Sequence, residues 1–256
     1  MSKSFSSPPK VEDYVRSISW EKRLASEIPF ITKIFRERGY REIVDLGCGP
    51  GRHAKALSEM GFSVTGIDSQ SSMIEFALKE AKRSESLQYR VGNFMTNPEI
   101  LGKERDAIYS IGNTLMIIWS DESTEAPDLF RGLSGALRPG GALFFQVLNS
   151  DSPRSGYVVS NISKDETGLQ RISIKHFLPI NEWLHTHFLT LKWYDSSQVT
   201  KEESEPGYLR LLPVSELEKL MVNAGFSEFH FWEDYQGGNF NPQTSDSLLC
   251  VAIKPV

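Results

Sequence analysis

Ile43 to Arg52 reads Ile-Val-Asp-Leu-Gly-Cys-Gly-Pro-Gly-Arg. An apolar run carries Asp45 and is followed by alternating glycines at Gly47, Gly49 and Gly51, then by the onset of a helical pattern. Glycine has no Cβ, so it lets a chain turn sharply off a strand and lie close to a ligand, and the next helix adds a positive N-terminal end. The stretch is therefore expected to be a nucleotide-cofactor loop, with Asp45, Gly47, Cys48, Gly49 and Gly51 at the ligand. A dinucleotide fingerprint, Gly-x-Gly-x-x-Gly, needs its third glycine where helix and strand pack closely. Arg52 holds that position. This argues against an NAD-dependent oxidoreductase, which otherwise shares the strand, loop and helix and the acid about 20 residues on.

Outward from this loop, strand and helix patterns alternate as a doubly wound parallel sheet requires. Val11 to Arg38 reads as mainly helical, with Leu24, Ile28, Ile31, Ile34 and Phe35 at helical spacing and a kink at Pro29. Strands are expected at Glu42–Leu46, Ser63–Ile67, Leu87–Val91, Ala107–Ile111 and Ala142–Leu148. Helices are expected at Arg52–Met60, Ser71–Lys82 and Glu125–Leu137. After Asn149 the period changes: Arg171–Leu178 and Trp183–Tyr194 are β-prone and joined by Pro179-Ile180-Asn181-Glu182, an antiparallel pair. A helix at Val214–Ala224 and strands at Phe226–Trp232 and Leu248–Ile253 close the pattern. The expected organisation is a helical cover over residues 1–38 and one α/β domain over 39–256, into which an antiparallel lid, 151–213, is inserted.

The 256 residues are enough to bury roughly three quarters of the surface an unfolded chain exposes. With 33 acidic and 28 basic side chains the net charge is −5, which gives no general pull toward phosphate backbones. No nucleic-acid partner is expected. Cys48 and Cys250 are far apart in sequence, no Cys/His cluster has zinc spacing, and no metal is expected. Residues 1–10 lack the apolar core of a secretion signal, and no apolar run reaches the ~18 residues of a membrane span. The expectation is a cytoplasmic protein with no membrane partner.

Gly-x-Gly-x-Gly after an acid-bearing strand, a second strand ending in Asp68, and the turn Arg138-Pro139-Gly140-Gly141 together resemble the class I S-adenosylmethionine-dependent methyltransferases. The resemblance implies a Rossmann-like, seven-stranded, mostly parallel sheet of order 3-2-1-4-5-7-6 with an antiparallel insert after strand 5. It also implies S-adenosylmethionine as cofactor, its ribose held by Asp68 with Ser69 beside it and its methionine part along the glycine loop.

Further positions resemble the glycine/sarcosine N-methyltransferase-like enzymes. Trp20-Glu21-Lys22-Arg23-Leu24 and Glu27-Ile28-Pro29-Phe30 look like that subgroup's N-terminal segment, which implies that Arg23 pairs with the methionyl carboxylate. Asn93-Phe94 resembles its adenine-holding pair, and Ile111-Gly112-Asn113-Thr114 its Leu-Gly-Asn-Ser, with Ile111 and Gly112 along the cofactor and Asn113 toward the substrate. The likeness covers most of Ser19 to Leu148 and, more loosely, Trp232 to Lys254. The implied activity is methyl transfer to N or O of a small molecule by in-line displacement, by a monomer or homodimer. Asn113, Tyr14 and His185 are the substrate-facing candidates, and Tyr14 and Trp20 the aromatic cover.

Plainer readings stand beside these. Asp68 could cap the helix from Ser71, Arg23 could be a solvated helix cation, Asn93 a turn residue and Phe94 a core aromatic. Cys48 is expected to pack rather than react, and His53 to be structural. His185 and His187 share a strand face, but no third ligand accompanies them. A non-catalytic S-adenosylmethionine-binding protein would need the same loop. Where the glycine-specific enzymes carry arginine before asparagine after strand 5, this chain has Leu148-Asn149. The acceptor is accordingly expected to be less anionic than glycine, or larger.

Overall fold

The computed structural model describes residues 11–81, 84–164, 168–194, 199–203 and 206–256. The sequence expectations for residues 1–10 and for the end of the helix at Lys82 lie outside the described residues. From the N-terminus run α1 (Val11–Arg16), α2 (Trp20–Glu37), β1 (Glu42–Leu46), α3 (Arg52–Glu59), β2 (Ser63–Asp68), α4 (Ser71–Glu80) and β3 (Leu87–Val91). They are followed by β4 (Arg105–Ser110), α5 (Thr114–Trp119), α6 (Ala126–Ala136) and β5 (Leu137–Leu148). Five strands come next: β6 (Gly156–Lys164), β7 (Gln170–Ile180), β8 (Trp183–Trp193), β9 (Thr200–Glu203) and β10 (Gly207–Arg210). The chain then returns through α7 (Val214–Asn223), β11 (Glu228–Trp232) and β12 (Ser247–Ile253).

The main sheet has seven strands in the order β11-β12-β5-β4-β1-β2-β3. Counted within that sheet, this is the expected 3-2-1-4-5-7-6. Pairings from β3 through β5 are parallel, and β12 lies antiparallel between β5 and β11, with Ser247 opposite Leu148 and Ile253 opposite Ala142. Strands covered on both faces need apolar side chains in both directions, which explains the unbroken apolar run at Ile43-Val44. Ile43 packs with Ile31, Phe35, Leu57 and Tyr109 from the α2 and α3 side. Val44 faces the other way, toward Leu115, Phe130, Leu133 and Phe145.

Three local features depart from the sequence expectation. The first helical segment breaks at 17–19 into α1 and α2, because the Ser17 amide and hydroxyl both turn back to the Tyr14 carbonyl, at 3.1 and 2.8 Å. Pro29 sits inside α2, which runs on to Glu37. A short helix, α5, follows Asn113 where no helix was expected; six residues are too few to show a period.

The region after β5 forms a second, antiparallel sheet, β10-β8-β7-β6, with β9 paired to β8. The backbone of one residue, Arg210, ties it to the main domain. Trp119 Nε1 donates to the Arg210 carbonyl at 2.9 Å, and the Arg210 amide donates to Ser120 Oγ at 2.6 Å. Phe177, Leu184 and Leu209 carry the contact into the core beside Trp119. Trp119→Phe keeps most of the apolar volume but leaves the Arg210 carbonyl unpaired, so it should lower unfolding stability by about 1–3 kcal/mol. Urea denaturation at unchanged circular dichroism measures this; a midpoint equal to that of the wild type would show that the tie carries no stability.

Candidate functional site

At the end of β1 the glycine loop hangs on β2. The amides of Gly47 and Cys48 both donate to the Ile67 carbonyl, at 2.8 and 3.0 Å, and the Gly49 amide donates to Asp68 Oδ2 at 2.9 Å. Gly47, Gly49 and Gly51 all have positive φ, at 75°, 51° and 73°, a region where a Cβ is strained. Their surroundings differ. A Cβ on Gly47 would stand 2.2 Å from Thr114 Cγ2, and one on Gly51 would stand 2.4 Å from the Tyr89 hydroxyl. A Cβ on Gly49 would meet only the Tyr14 ring, at 3.9 Å. The outer two glycines thus make room for the protein itself, and the middle one borders open space.

Asp68 closes β2 with its second oxygen on the Gln70 amide, at 2.9 Å. It makes a side-chain turn there; the residue at the N-cap of α4 is Gln70. Burial pushes the Asp68 carboxyl up, and the Gln70 and Gly49 amides hold it back. Ser69 beside it is exposed. Asp45 is buried deeper, at 2 % exposure, and its Oδ2 meets no hydrogen-bond partner among the described residues. Burial pushes its carboxyl up to about 7, opposed by the neighbouring Tyr109 hydroxyl. Cys48 is buried as well, which pushes its thiol up and keeps it protonated, in keeping with packing.

The N-terminal helices bring a second group to the loop. Arg23 Nε bonds Glu27 Oε1 at 2.9 Å, and Glu27 Oε2 receives His53 Nε2 at 2.5 Å. His53 is the second residue of α3, two positions after Gly51, so Glu27 ties α2 to the helix that follows the loop. Burial lowers the His53 pKa despite Glu27, and the imidazole stays neutral, consistent with a structural role. The outer edge of the Arg23 guanidinium lies 3.3 Å from the point where a Cβ on Gly112 would stand. Trp20 packs edge-on against both Tyr14 and His53, at 6.3 and 6.0 Å between ring centres.

After β4, Gly112 (φ 72°) and Asn113 (φ 68°) turn the chain into α5. Gln146 of β5 holds this turn: its Oε1 takes the Gly112 amide at 2.9 Å and its carbonyl takes the Asn113 amide at 3.3 Å. Ile111 is buried just before it. Gln146, Glu27 and the half-buried Tyr235, which packs edge-on against Phe30 of α2 at 6.0 Å, are structural parts of the site to which the sequence reading gave no role. A lone glutamine inside the apolar run Ala142–Leu148 was the available signal for Gln146.

Two candidates are placed differently from the rest. Phe94, the expected partner of a ligand ring, is 4 % exposed, and its ring lies 3.0 Å from a Gly132 Cβ position. Asn93, just before it, is exposed and bonds the Met95 amide at 2.8 Å. His185 was expected to face a substrate. The two-residue period of β8 puts it on the face opposite Leu184 and Thr186, which are buried toward the main domain, and its ring meets Tyr208 at 4.7 Å. Tyr14, Arg23, Gly49, Asp68 and Gly112 do come together.

Residues 43–141 match the model of the methyltransferase domain family. YqeM of Bacillus subtilis (strain 168) is 26% identical over 228 residues, 84% of this chain and 82% of that protein. The glycine/sarcosine N-methyltransferase of Aphanothece halophytica is 30% identical over 113 residues, and the match spans less than half of each protein, 44% of this chain and 43% of the relative. In three dimensions the chain resembles an S-adenosylmethionine-bound amino pentose methyltransferase from Micromonospora echinaspora, with a TM-score of 0.73, 17% identity, and coverage of 96% of this chain and 97% of that one. No helix among the described residues is long and apolar enough to cross a membrane.

The buried acid at Asp45 has a consequence for pH. Its carboxyl titrates near 3.8 unfolded and near 7 folded, so between these values the unfolded chain holds fewer protons and stability falls as pH rises. Asp45→Asn removes that contribution. The variant's stability relative to the wild type should therefore be higher at pH 8 than at pH 4.5 in parallel urea titrations. A difference independent of pH would mean that Asp45 keeps an ordinary carboxylate pKa.

Proposed function

We propose that this chain, a class I S-adenosylmethionine-dependent methyltransferase, transfers the methyl group of its cofactor to a nitrogen or oxygen of a small molecule by in-line displacement. One observation carries the reading: of the three loop glycines only Gly49 opens onto space that the described residues leave unfilled, between Asp68 and the Tyr14–Arg23 cover. In this reading the free lone pairs of Asp68, with Ser69, take the ribose hydroxyls. The backbone of Gly47, Cys48, Gly49, Gly51, Ile111 and Gly112 lines the methionine part. The outer edge of Arg23, free of Glu27, takes the methionyl carboxylate. Asn93 and the backbone of Phe94 border the adenine, and Asp45 supports the loop from below. Residues 1–38 serve as a cover and 151–213 as a lid on the methyltransferase domain, 39–256.

The cofactor supplies an already activated sulfonium methyl group. What remains for the chain is to align the acceptor and exclude water, and alignment alone can supply roughly 7–11 kcal/mol of a barrier. Glu27 holds Arg23 and, through His53, the first turn of α3, so that the cover and loop share one geometry. Gln146 fixes the Gly112–Asn113 turn, which leaves Asn113 at the acceptor side. The dinucleotide alternative finds no support in Arg52, whose guanidinium reaches Glu80 of α4 at 3.3 Å where a glycine would allow close packing.

Calorimetric titration tests the cofactor assignment. Asp68→Ala should weaken S-adenosylmethionine binding by about 1.5–3 kcal/mol, through the loss of charge-assisted hydrogen bonds. Gly49→Val should remain folded by circular dichroism and bind no cofactor. Normal affinity in the folded Gly49→Val protein would place the cofactor elsewhere.

Glycine is not the acceptor in this reading. Leu148 packs against the core where the glycine-specific relatives carry arginine, and a carboxylate brought there would lose its partner and pay several kcal/mol of desolvation. Methyl-release assays with glycine and sarcosine should show no saturation below about a millimolar. Efficient turnover of glycine would overturn this.

A further inference from the structure

The inner face of the second sheet carries two polar groups that the main domain does not use. By register, Lys175 on β7 lies opposite Phe188 and Val158 and shares its face with Phe177 and Thr186, which are opposite each other on β7 and β8. Phe177 and Thr186 are buried, at 6% and 2% exposure, so this face looks onto the main domain and not into solvent. Lys175 is itself half-buried, with its ammonium 5.5 Å from the centre of the Phe188 ring. Burial lowers its pKa, and the charges of Arg23 and Arg154, within electrostatic range, lower it further.

These cations are not equivalent. Arg23 is paired with Glu27 and Arg154 with Asp246. Lys175 has no carboxylate partner among the described residues. Thr186 Oγ1 is buried and also makes no hydrogen bond among the described residues. Diagonal neighbours on facing strands lie about 7–8 Å apart, within reach of a long side chain. A half-buried cation diagonal to a buried hydroxyl, neither with an acceptor among the described residues, carries a desolvation cost that an anion would offset.

We propose that Lys175 and Thr186 form the acceptor's anion subsite: a carboxylate or phosphate group, remote from the atom to be methylated, docks on the Lys175 ammonium and the Thr186 hydroxyl. The proposal rests on the methyltransferase reading and deepens it. The charge that glycine-specific relatives place at the end of strand 5 comes here from the lid. The acceptor is then larger than glycine, with its anionic group set apart from the reactive nitrogen or oxygen.

Two measurements test it. In the first, the complex with S-adenosylhomocysteine is titrated calorimetrically with benzoate, phenyl phosphate and uncharged methyl benzoate. An anion should bind and the ester should not, with the stronger of the two anions identifying carboxylate or phosphate. Lys175→Met should weaken that anion about tenfold or more, Thr186→Val should weaken it measurably, and Lys175→Arg should retain it, all with S-adenosylhomocysteine affinity unchanged. In the second, methyl release is compared on 4-hydroxybenzoate, 4-aminobenzoate and their methyl esters, where the acids should be preferred and Lys175→Met should abolish the preference. Equal binding of acid and ester, or no binding of either anion at millimolar concentration, overturns the subsite. So does loss of S-adenosylhomocysteine affinity in Lys175→Met, which would assign the lysine to the cofactor. If S-adenosylhomocysteine fails to bind the wild type, it is the methyltransferase reading that fails, and titrating the free protein with the same anions still decides on Lys175.

Discussion

Three consecutive amides of the glycine loop, those of Gly47, Cys48 and Gly49, are held by the end of a neighbouring strand: two by the Ile67 carbonyl and one by Asp68. Most of the site depends on this arrangement. It fixes the positive backbone angles that only glycine adopts without strain. The bare α-carbon of Gly47 lets Thr114 approach, and with Thr114 comes the first turn of α5. The Gly112–Asn113 turn then lies beside the loop under the hold of Gln146, and the middle glycine is left facing outward. The Asp68 side chain holds both the loop and the start of α4, so any group bonded to its oxygens also bears on Gly49 and Gln70.

Charge around this loop is arranged by depth. Asp45 lies deepest and is driven toward its neutral form; Asp68, nearer the opening, keeps two amides on it; Glu27 is balanced by Arg23. Carboxylates so close together would repel if all were bare, and their separate environments let them coexist in one cleft. The Glu27–His53 contact also means that α2 is not attached by apolar packing alone: a shift of α2 would pull on the second residue after the glycines.

How legible this was from sequence depended on whether a residue's role is set by its neighbours in the chain. Strand β1 has the bounds its apolar residues predict, and the glycine pattern with Asp68 located the loop, because turn geometry and strand burial are local demands. The seven-strand order came through resemblance and not from periodicity, since pairing partners are far apart in sequence. Phe94 and His185 show the limit. Phe94 lies in the turn after β3 and His185 in β8, yet which way each ring points is decided by Gly132 and by the packing of Leu184 and Thr186, which no local pattern encodes. Glu27 and Gln146 looked ordinary for the same reason: their partners are 26 and 34 positions away. β6, β9 and β10 were missed: β9 and β10 are four residues each, too few to show a period, and β6 carries Ser160, Asn161 and Ser163 among its apolar residues.

The two ends of the inserted sheet are fastened to each other. Asp151 Oδ2 accepts the Val214 amide at 2.9 Å, while Asn149, just before it, donates to the carbonyls of Pro242 and Ser245 at 2.9 and 2.8 Å. Seen from the parent domain, the chain leaves and returns through a single clasp, so the length of what lies between bears only weakly on closing it, as the logarithm of loop size. An architecture of this kind is modular in ancestry. The segment between the clasp residues can lengthen, shorten or be exchanged while the cofactor end of the sheet keeps its connections, and descendants of one catalytic core can diversify in the molecules they accept without refolding it.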